Sequence, residues 1–451
     1  MRRFLLILFL ILSACQVAPT PAGPQFTVRT HPAGDLYTGD LVSFEILAPD
    51  GYQGSDQVIN ITIMEQNLGQ ANFQPFGIGR RQQATFYWVW DTKQLEPGDY
   101  HIEFSITPSR IRWTETLTLR PAAEIPPPGP DSSWQMTQST CCIIHYISGT
   151  DAERDLATLK QLADTQAANV EKRMNARFNS KATITFLPRT LGHGGFASSE
   201  IFISYHNRNY AGGDVGQVIH HELVHLLDTR TSPRYKPTIL VEGLAVYLSG
   251  GHFKREPIFP RAAALLQLDL YIPLEKLSNN FYPSQHEIGY MEAGALVGYL
   301  VETYGWEPFL AFYRDIEYIE TGKPTQGLDT ALQKHFQRSF KQTEQDFLAY
   351  LGWQTVTQAH LDDVRLTIDY YNTMREYQLE YDPSAHYLTA WLVDINQMRE
   401  RNIIADYTRH PNEWINQRLE ELLISANADL MAGHYPQAET KLKLVKTILG
   451  R

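Results

Sequence analysis

Eleven consecutive residues, Val218-Ile219-His220-His221-Glu222-Leu223-Val224-His225-Leu226-Leu227-Asp228, restrict what this 451-residue chain can become more than any other stretch. Apolar residues occupy six of the eleven positions, which suits a helix buried on several sides, yet three histidines, a glutamate and a closing aspartate interrupt them. Residues four apart on an α-helix lie about 40° apart around its axis, so the rings of His221 and His225 reach one point. H-E-x-x-H on a helix offers two imidazoles to one metal and sets the carboxylate between them, Glu222, beside the metal as a general base for the attacking water. His220, about 100° round the helix, points elsewhere. A catalytic zinc takes three protein ligands and keeps one position open. Seventeen residues beyond His225 (242 − 225) stands Glu242, in Leu240-Val241-Glu242-Gly243-Leu244-Ala245-Val246-Tyr247. A lone carboxylate in so apolar a helix is costly unless it pairs or binds metal, and two histidines with one glutamate form a known catalytic zinc set. One Zn²⁺ per chain, held by His221, His225 and Glu242, is the expectation.

The rest of the composition excludes other classes. Lys and Arg total 39 against 50 Asp and Glu, a net charge of −11, so no basic field draws nucleic acid. Three cysteines do not build a disulfide scaffold or a cysteine-rich zinc ribbon. Cys141 and Cys142 fall in the expected strand Cys141–Ile147, where neighbours face opposite ways, and are read as two buried thiols. At the N-terminus, Met1-Arg2-Arg3 precedes nine apolar residues, Phe4 to Leu12, too few to span a bilayer but suited to an export signal. Leu12-Ser13-Ala14-Cys15 resembles the lipobox of bacterial lipoproteins, which implies a lipid on Cys15 and a protein tethered to the cell envelope, with a membrane surface as a partner.

Periodicity divides the remainder into several domains. After the signal and lipobox (1–15) and a Pro- and Gly-rich tether (16–25), residues 26–121 alternate apolar and polar side chains in short runs such as Val58 to Ile63. Turn signals like Pro97-Gly98-Asp99 separate these runs, and an Ig-like β-sandwich is expected. A Pro-rich linker (122–132) leads to a region (133–355) in which strands give way to long helices, an α+β layout. Its strands are expected at Cys141–Ile147, Ala182–Leu187 and Phe196–Tyr205. His193 is read as part of a Gly-rich turn before the last of these. Residues 356–451 read as all-helical, ending in one tetratricopeptide-like hairpin.

H-E-x-x-H followed at this distance by E-G-L-A-x-Y resembles the gluzincin metallopeptidases, specifically the peptidase MA-like families of bacterial surface proteins. The resemblance covers roughly residues 133–353. It implies a zincin-type fold, ligands His221, His225 and Glu242, Glu222 as general base, and Phe196–Tyr205 as the edge strand that pairs with an extended substrate. It also implies an oxyanion donor, for which Tyr290 is the candidate and Tyr282 and His286 are competitors. One position departs: Val246 stands four residues beyond Glu242, where thermolysin-like enzymes carry an aspartate. Asp228 is the alternative orienter of a ligand, or simply a helix-end residue. The expected activity is that of a lipid-anchored zinc peptidase cutting within the chain of a peptide or protein substrate. The competing expectation is a catalytically inactive surface-binding lipoprotein that uses the same lobe as a scaffold.

Overall fold

The computed structural model describes residues 26–76, 81–192, 194–252, 254–320 and 322–451. The signal segment, Cys15, the tether and His193 lie outside them. The described chain has several cores, with a sheet-rich N-terminal region and a helical C-terminal one.

Nine strands form two sheets. They are β1 (Thr27–His31), β2 (Leu36–Tyr37), β3 (Leu41–Leu47), β4 (Val58–Ile63), β5 (Gln66–Asn72), β6 (Gln74–Phe76), β7 (Arg81–Asp91), β8 (Gly98–Thr107) and β9 (Ile111–Arg120). One sheet runs β1-β3-β7-β6 and the other β2-β9-β8-β4-β5. Val42, Phe44 and Ile46 of the first meet Ile59, Ile61, Ile102 and Phe104 of the second in a shared core, the arrangement of a sandwich. Simple alternation would send Trp88 into that core with Phe86 and Trp90. Instead a register irregularity between Val42 and Phe44 and a left-handed backbone at Trp88 (φ 51°) turn its indole outward. There its Nε1 donates to Asp406, 3.2 Å away, near the far end of the chain.

The next lobe has a mixed sheet ordered β10-β11-β12-β14-β13, built from β10 (Trp134–Gln138), β11 (Cys142–Ile147), β12 (Ala182–Leu187), β13 (Gly195–Ala197) and β14 (Ile201–Ser204). The parallel β11 and β12 are joined through α1 (Asp151–Arg154) and α2 (Leu156–Met174). Two expectations need correction here. The strand expected over Phe196–Tyr205 is a hairpin: Ser198 N bonds Glu200 O across the turn, and the edge is the three-residue β13, antiparallel to β14. Cys141 and Cys142 are not two thiols but a disulfide. Cys141 lies in the bend before β11, with its backbone N–H held by Asp164, so the opposite-faces rule for strand neighbours does not apply to the pair.

Helices α3 (Val215–Thr231), α4 (Thr238–Ser249), α5 (Ile258–Gln267), α6 (Leu274–Asn279), α7 (His286–Tyr304), α8 (Trp306–Arg314), α9 (Pro324–Phe336) and α10 (Phe340–Gly352) complete this lobe, sharing one core with its sheet. The C-terminal region carries α11 (Gln358–Tyr381), α12 (Ile395–Glu400), α13 (Ala405–Thr408), α14 (Trp414–Ala432) and α15 (Tyr435–Ile448). It is not helical throughout. Residues 382–394, where Pro383 begins a run of turns, form no helix, yet they bring Trp391, fully buried, to a three-way junction. There Trp391 meets Trp88 of the sandwich and Ile147, Leu187 and Phe202 of the mixed sheet, and its ring stacks on His31 at 3.7 Å. The outer face of β1-β3-β7 is therefore covered, which is why Ser43 and Glu45 are as buried as the core residues between them. Among the described residues no helix is long and apolar enough to cross a membrane.

Candidate metal centre

The helix α3 starts where Gly212 and Gly213, both at φ 80°, let the chain turn, and Asp214 caps it by accepting from Gln217 N at 2.9 Å. It runs buried through the lobe, as its apolar flanks require. The α4 helix crosses α7 at very short range: a Cβ on Gly243 would lie 2.4 Å from Ala293 O, and one on Gly294 2.4 Å from Val246 Cγ1. These two glycines let the helices approach, and that approach fixes the neighbouring Glu242 opposite α3.

Three side chains converge. His221 Nε2 and His225 Nε2 are 3.0 Å apart, and Glu242 Oε2 lies 3.3 Å and 3.1 Å from them. Donors on a tetrahedral zinc with bonds of 2.0–2.1 Å stand about 3.3 Å from one another, so the spacing fits one small cation. Tyr282 OH donates to the other carboxylate oxygen, Oε1, at 2.8 Å. Burial and the two imidazoles divide the charge unevenly. Burial opposes a proton on His225, but Glu242, Glu222 and Asp228 push its pKa up to about 9. Burial pushes His221 down to about 4. Burial alone would raise Glu242, yet the histidines hold it well below the usual carboxylate range. Glu222 makes no part of the trio. Burial, reinforced by Glu242, pushes it up to about 7, the poise of a group that takes and returns a proton near neutrality.

Glu222 and His221 line a cleft of about 20 Å³, room for one water-sized molecule, with Gly195 of the edge strand, Val218, His252 and Tyr371. Past Val218 and Gly213 a groove of about 260 Å³ continues along Ile203–Asn207 toward Arg154.

The other expected residues take separate places around the trio. His220 turns away from it and bonds Gln166 at 3.0 Å. Tyr290 is buried and stacks on His252 at 4.0 Å, with the His221 ring 6.2 Å away. Asp228 accepts from Lys236 Nζ at 2.8 Å and Tyr313 OH at 2.9 Å, and among the described residues it forms no hydrogen bond to His221 or His225. Sequence reasoning missed His252, whose Nδ1 meets Glu287 Oε1 at 2.7 Å and whose ring lies 5.7 Å from His221. Its only signal was a histidine after Gly250-Gly251, just past the third-ligand helix. Tyr371, from the C-terminal region, was missed as well. His252, His286 and Glu287 form a second group with ligand-capable atoms within 4.8 Å of one another.

No family model matches the chain, and no curated protein does. Among solved structures, an aminopeptidase N family protein from Idiomarina loihiensis aligns over 83% of this chain and 78% of its own at 10% identity, with a TM-score of 0.25, too low to argue from.

Proposed function

We propose that the chain is a zinc-dependent peptidase of the gluzincin type, exported and held on a membrane surface through a lipid on Cys15. In this reading residues 26–121 are an Ig-like spacer, 133–355 a zincin-type peptidase lobe, and 356–451 a helical region that closes over it. The supporting observation is the convergence of two Nε2 atoms and one Oε2 within 3.3 Å, with Glu222 beside them in a buried cleft. His221, His225 and Glu242 would hold the ion, and Tyr282 would orient Glu242 through its second oxygen. Bound zinc supplies Lewis acidity to the scissile carbonyl and acidity to water. Glu222 takes the proton of the attacking water and returns it to the departing amine. Tyr290, stacked on His252 near His221, would be the donor to the carbonyl oxygen, and β13 would pair with an extended peptide. The groove leading away past Val218 suits cleavage within a chain.

The deciding experiment is Glu222→Gln in the full chain. It is expected to keep about one zinc per chain and to slow cleavage of denatured casein by about a thousandfold. Cleavage at an undiminished rate would remove Glu222 as the base. Absence of cleavage by the unsubstituted, zinc-loaded chain would favour the scaffold reading. Labelled palmitate incorporated by the chain and lost on Cys15→Ser tests the anchor.

A further inference from the structure

The helix α11 passes from the catalytic cleft to a buried guanidinium that the reaction does not use. Tyr371 lines the cleft beside Glu222. Four residues on, and so on the same face about 6 Å further along, Arg375 lies against Tyr387, its guanidinium carbon 3.5 Å from the ring centre. Stacking occupies the flat face of a guanidinium and leaves its five N–H donors in the plane. Nε, Nη1 and Nη2 of Arg375 are all shielded from solvent, and among the described residues none finds a protein acceptor. Glu287, an electrostatic neighbour, turns one oxygen to His252 and forms no ion pair with Arg375. Leaving such donors buried without a partner is expensive, so the arrangement is that of a receptor and not of a packing residue.

The surroundings carry the same sign. Arg29 on β1 and Arg81 on β7 project from the covered outer face of the sandwich, and each has a buried Nη1 with no protein acceptor. His386, 4% exposed, has Arg375, Arg29 and Arg81 as electrostatic neighbours, and burial with these cations pushes its pKa down to about 4, so it adds no charge of its own. The one carboxylate set among these sandwich arginines is Glu45, the cross-strand partner of Arg29. It is already engaged by His31 at 2.9 Å and Gln83 at 2.7 Å, with Arg81 3.4 Å away. Arg29 and Arg81 thus share one committed acid, and Arg375 has in its field Glu287, whose Oε2 finds no hydrogen-bond partner among the described residues. Tyr387 ties Arg375 to the trio, since it stacks on the guanidinium, its hydroxyl donates to Tyr282 O and the Tyr282 hydroxyl donates to Glu242.

Resting on the peptidase reading, we propose that Arg375, stacked on Tyr387 with its donors buried and unpartnered among the described residues, is a carboxylate receptor that selects peptides. The planar fork of Arg375 matches a carboxylate in bidentate fashion. The offset of about 6 Å from Tyr371 corresponds to roughly two extended residues, so the selected carboxylate stands about two residues from the cleaved bond, as an acidic side chain or a chain end.

The test uses the zinc-loaded full chain with Glu222→Gln, so that peptides bind without being cut. Three fluorescent hexapeptides of one sequence are compared by anisotropy: one with Glu and an amidated end, one with Gln and a free C-terminal carboxylate, and one with Gln and an amidated end. One or both of the charged peptides are expected to bind at least about tenfold more tightly than the neutral one, and which of them does so identifies the source of the carboxylate. Adding Arg375→Gln, or Arg375→Met, which keeps bulk on Tyr387, is expected to erase the preference while zinc content and binding of the neutral peptide stay unchanged. Equal binding of all three peptides, no binding of either charged one, or a preference that survives both substitutions would overturn the proposal. Zinc content and casein cleavage by the chain that retains Glu222 judge the peptidase reading separately: cleavage without carboxylate preference sinks only the receptor, and preference without cleavage sinks only the peptidase.

Discussion

Two groups of two histidines and one glutamate lie side by side in this molecule, and their geometry separates them. In His221/His225/Glu242 all three separations fall between 3.0 and 3.3 Å, including one between two ring nitrogens. Two Nε2 atoms at that distance cannot both be donors, and nothing but a shared proton or a shared cation draws them together. In His252/His286/Glu287 the separations are uneven: His252 Nδ1 meets Glu287 Oε1 at 2.7 Å, a hydrogen bond, whereas His286 Nε2 stands off at 3.7 Å. The first group has the spacing of ligands, and the second that of a carboxylate holding one imidazole in orientation at the cleft wall. Composition and burial are alike in the two, so only the distances tell them apart.

The largest expected effect tests that contrast directly. His225→Ala should take zinc from about one per chain to near zero, and His286→Ala should leave it at about one. Elemental analysis of the two variants beside the parent reads both. Two zinc ions in the parent, falling to one in His286→Ala, would make the second group a metal site and void the distinction.

The same contrast explains what was legible in the sequence. The convergence of the trio could be read because helical spacing is rigid: two residues four apart must share a face, and a glutamate stranded in an apolar helix asks for a partner. Ala182–Leu187 could be read from its pattern, and the observed strand has those bounds. By contrast, the wall opposite α3 is assembled from His252 after α4, Tyr290 on α7 and Tyr371 on α11, residues scattered over more than a hundred positions. None belongs to a periodic pattern that demands a polar group: Tyr290 was reached only through the family resemblance, and no local pattern pointed to His252 or Tyr371. Trp88 was hidden for another reason. Alternation assumes an unbroken strand, and the register irregularity that swings Trp88 toward Asp406 has no signature in Phe86-Tyr87-Trp88-Val89-Trp90. The region 382–394 departs from the helical expectation because apolar residues such as Ala390, Trp391 and Val393 are spent on a junction between lobes and not on a helix face.

A smaller effect comes from the charge held by the trio. Against burial, Glu242, Glu222 and Asp228 push His225 up to about 9, so a zinc ion taken up by the trio at neutral pH would have to displace a proton. Apparent zinc affinity should therefore fall about tenfold for each unit of pH lowered from 9 toward 7, and uptake at pH 7 should release about one proton. Chelator competition across that range, with uptake heats in buffers of different ionisation enthalpy, gives both numbers. An affinity flat from pH 7 to 9 would mean that His225 is already deprotonated and that the trio is less tightly coupled than its spacing requires.

The least effect on the metal is expected at Asp228, although it lies on the ligand helix three residues beyond His225. Its carboxylate is committed to Lys236 and Tyr313, and the Lys236 side chain is itself 4% exposed. Asp228→Asn leaves that ammonium buried without its counter-charge, so unfolding free energy should drop by about 3 kcal/mol, read as a lower urea midpoint with an unchanged slope. Zinc affinity should stay within about twofold of the parent, because losing a group that orients a ligand costs ten- to a hundredfold. A tenfold loss of zinc affinity with stability intact would reverse the assignment, making Asp228 an orienter of His225 through the field it adds to that ring and Lys236 the incidental partner.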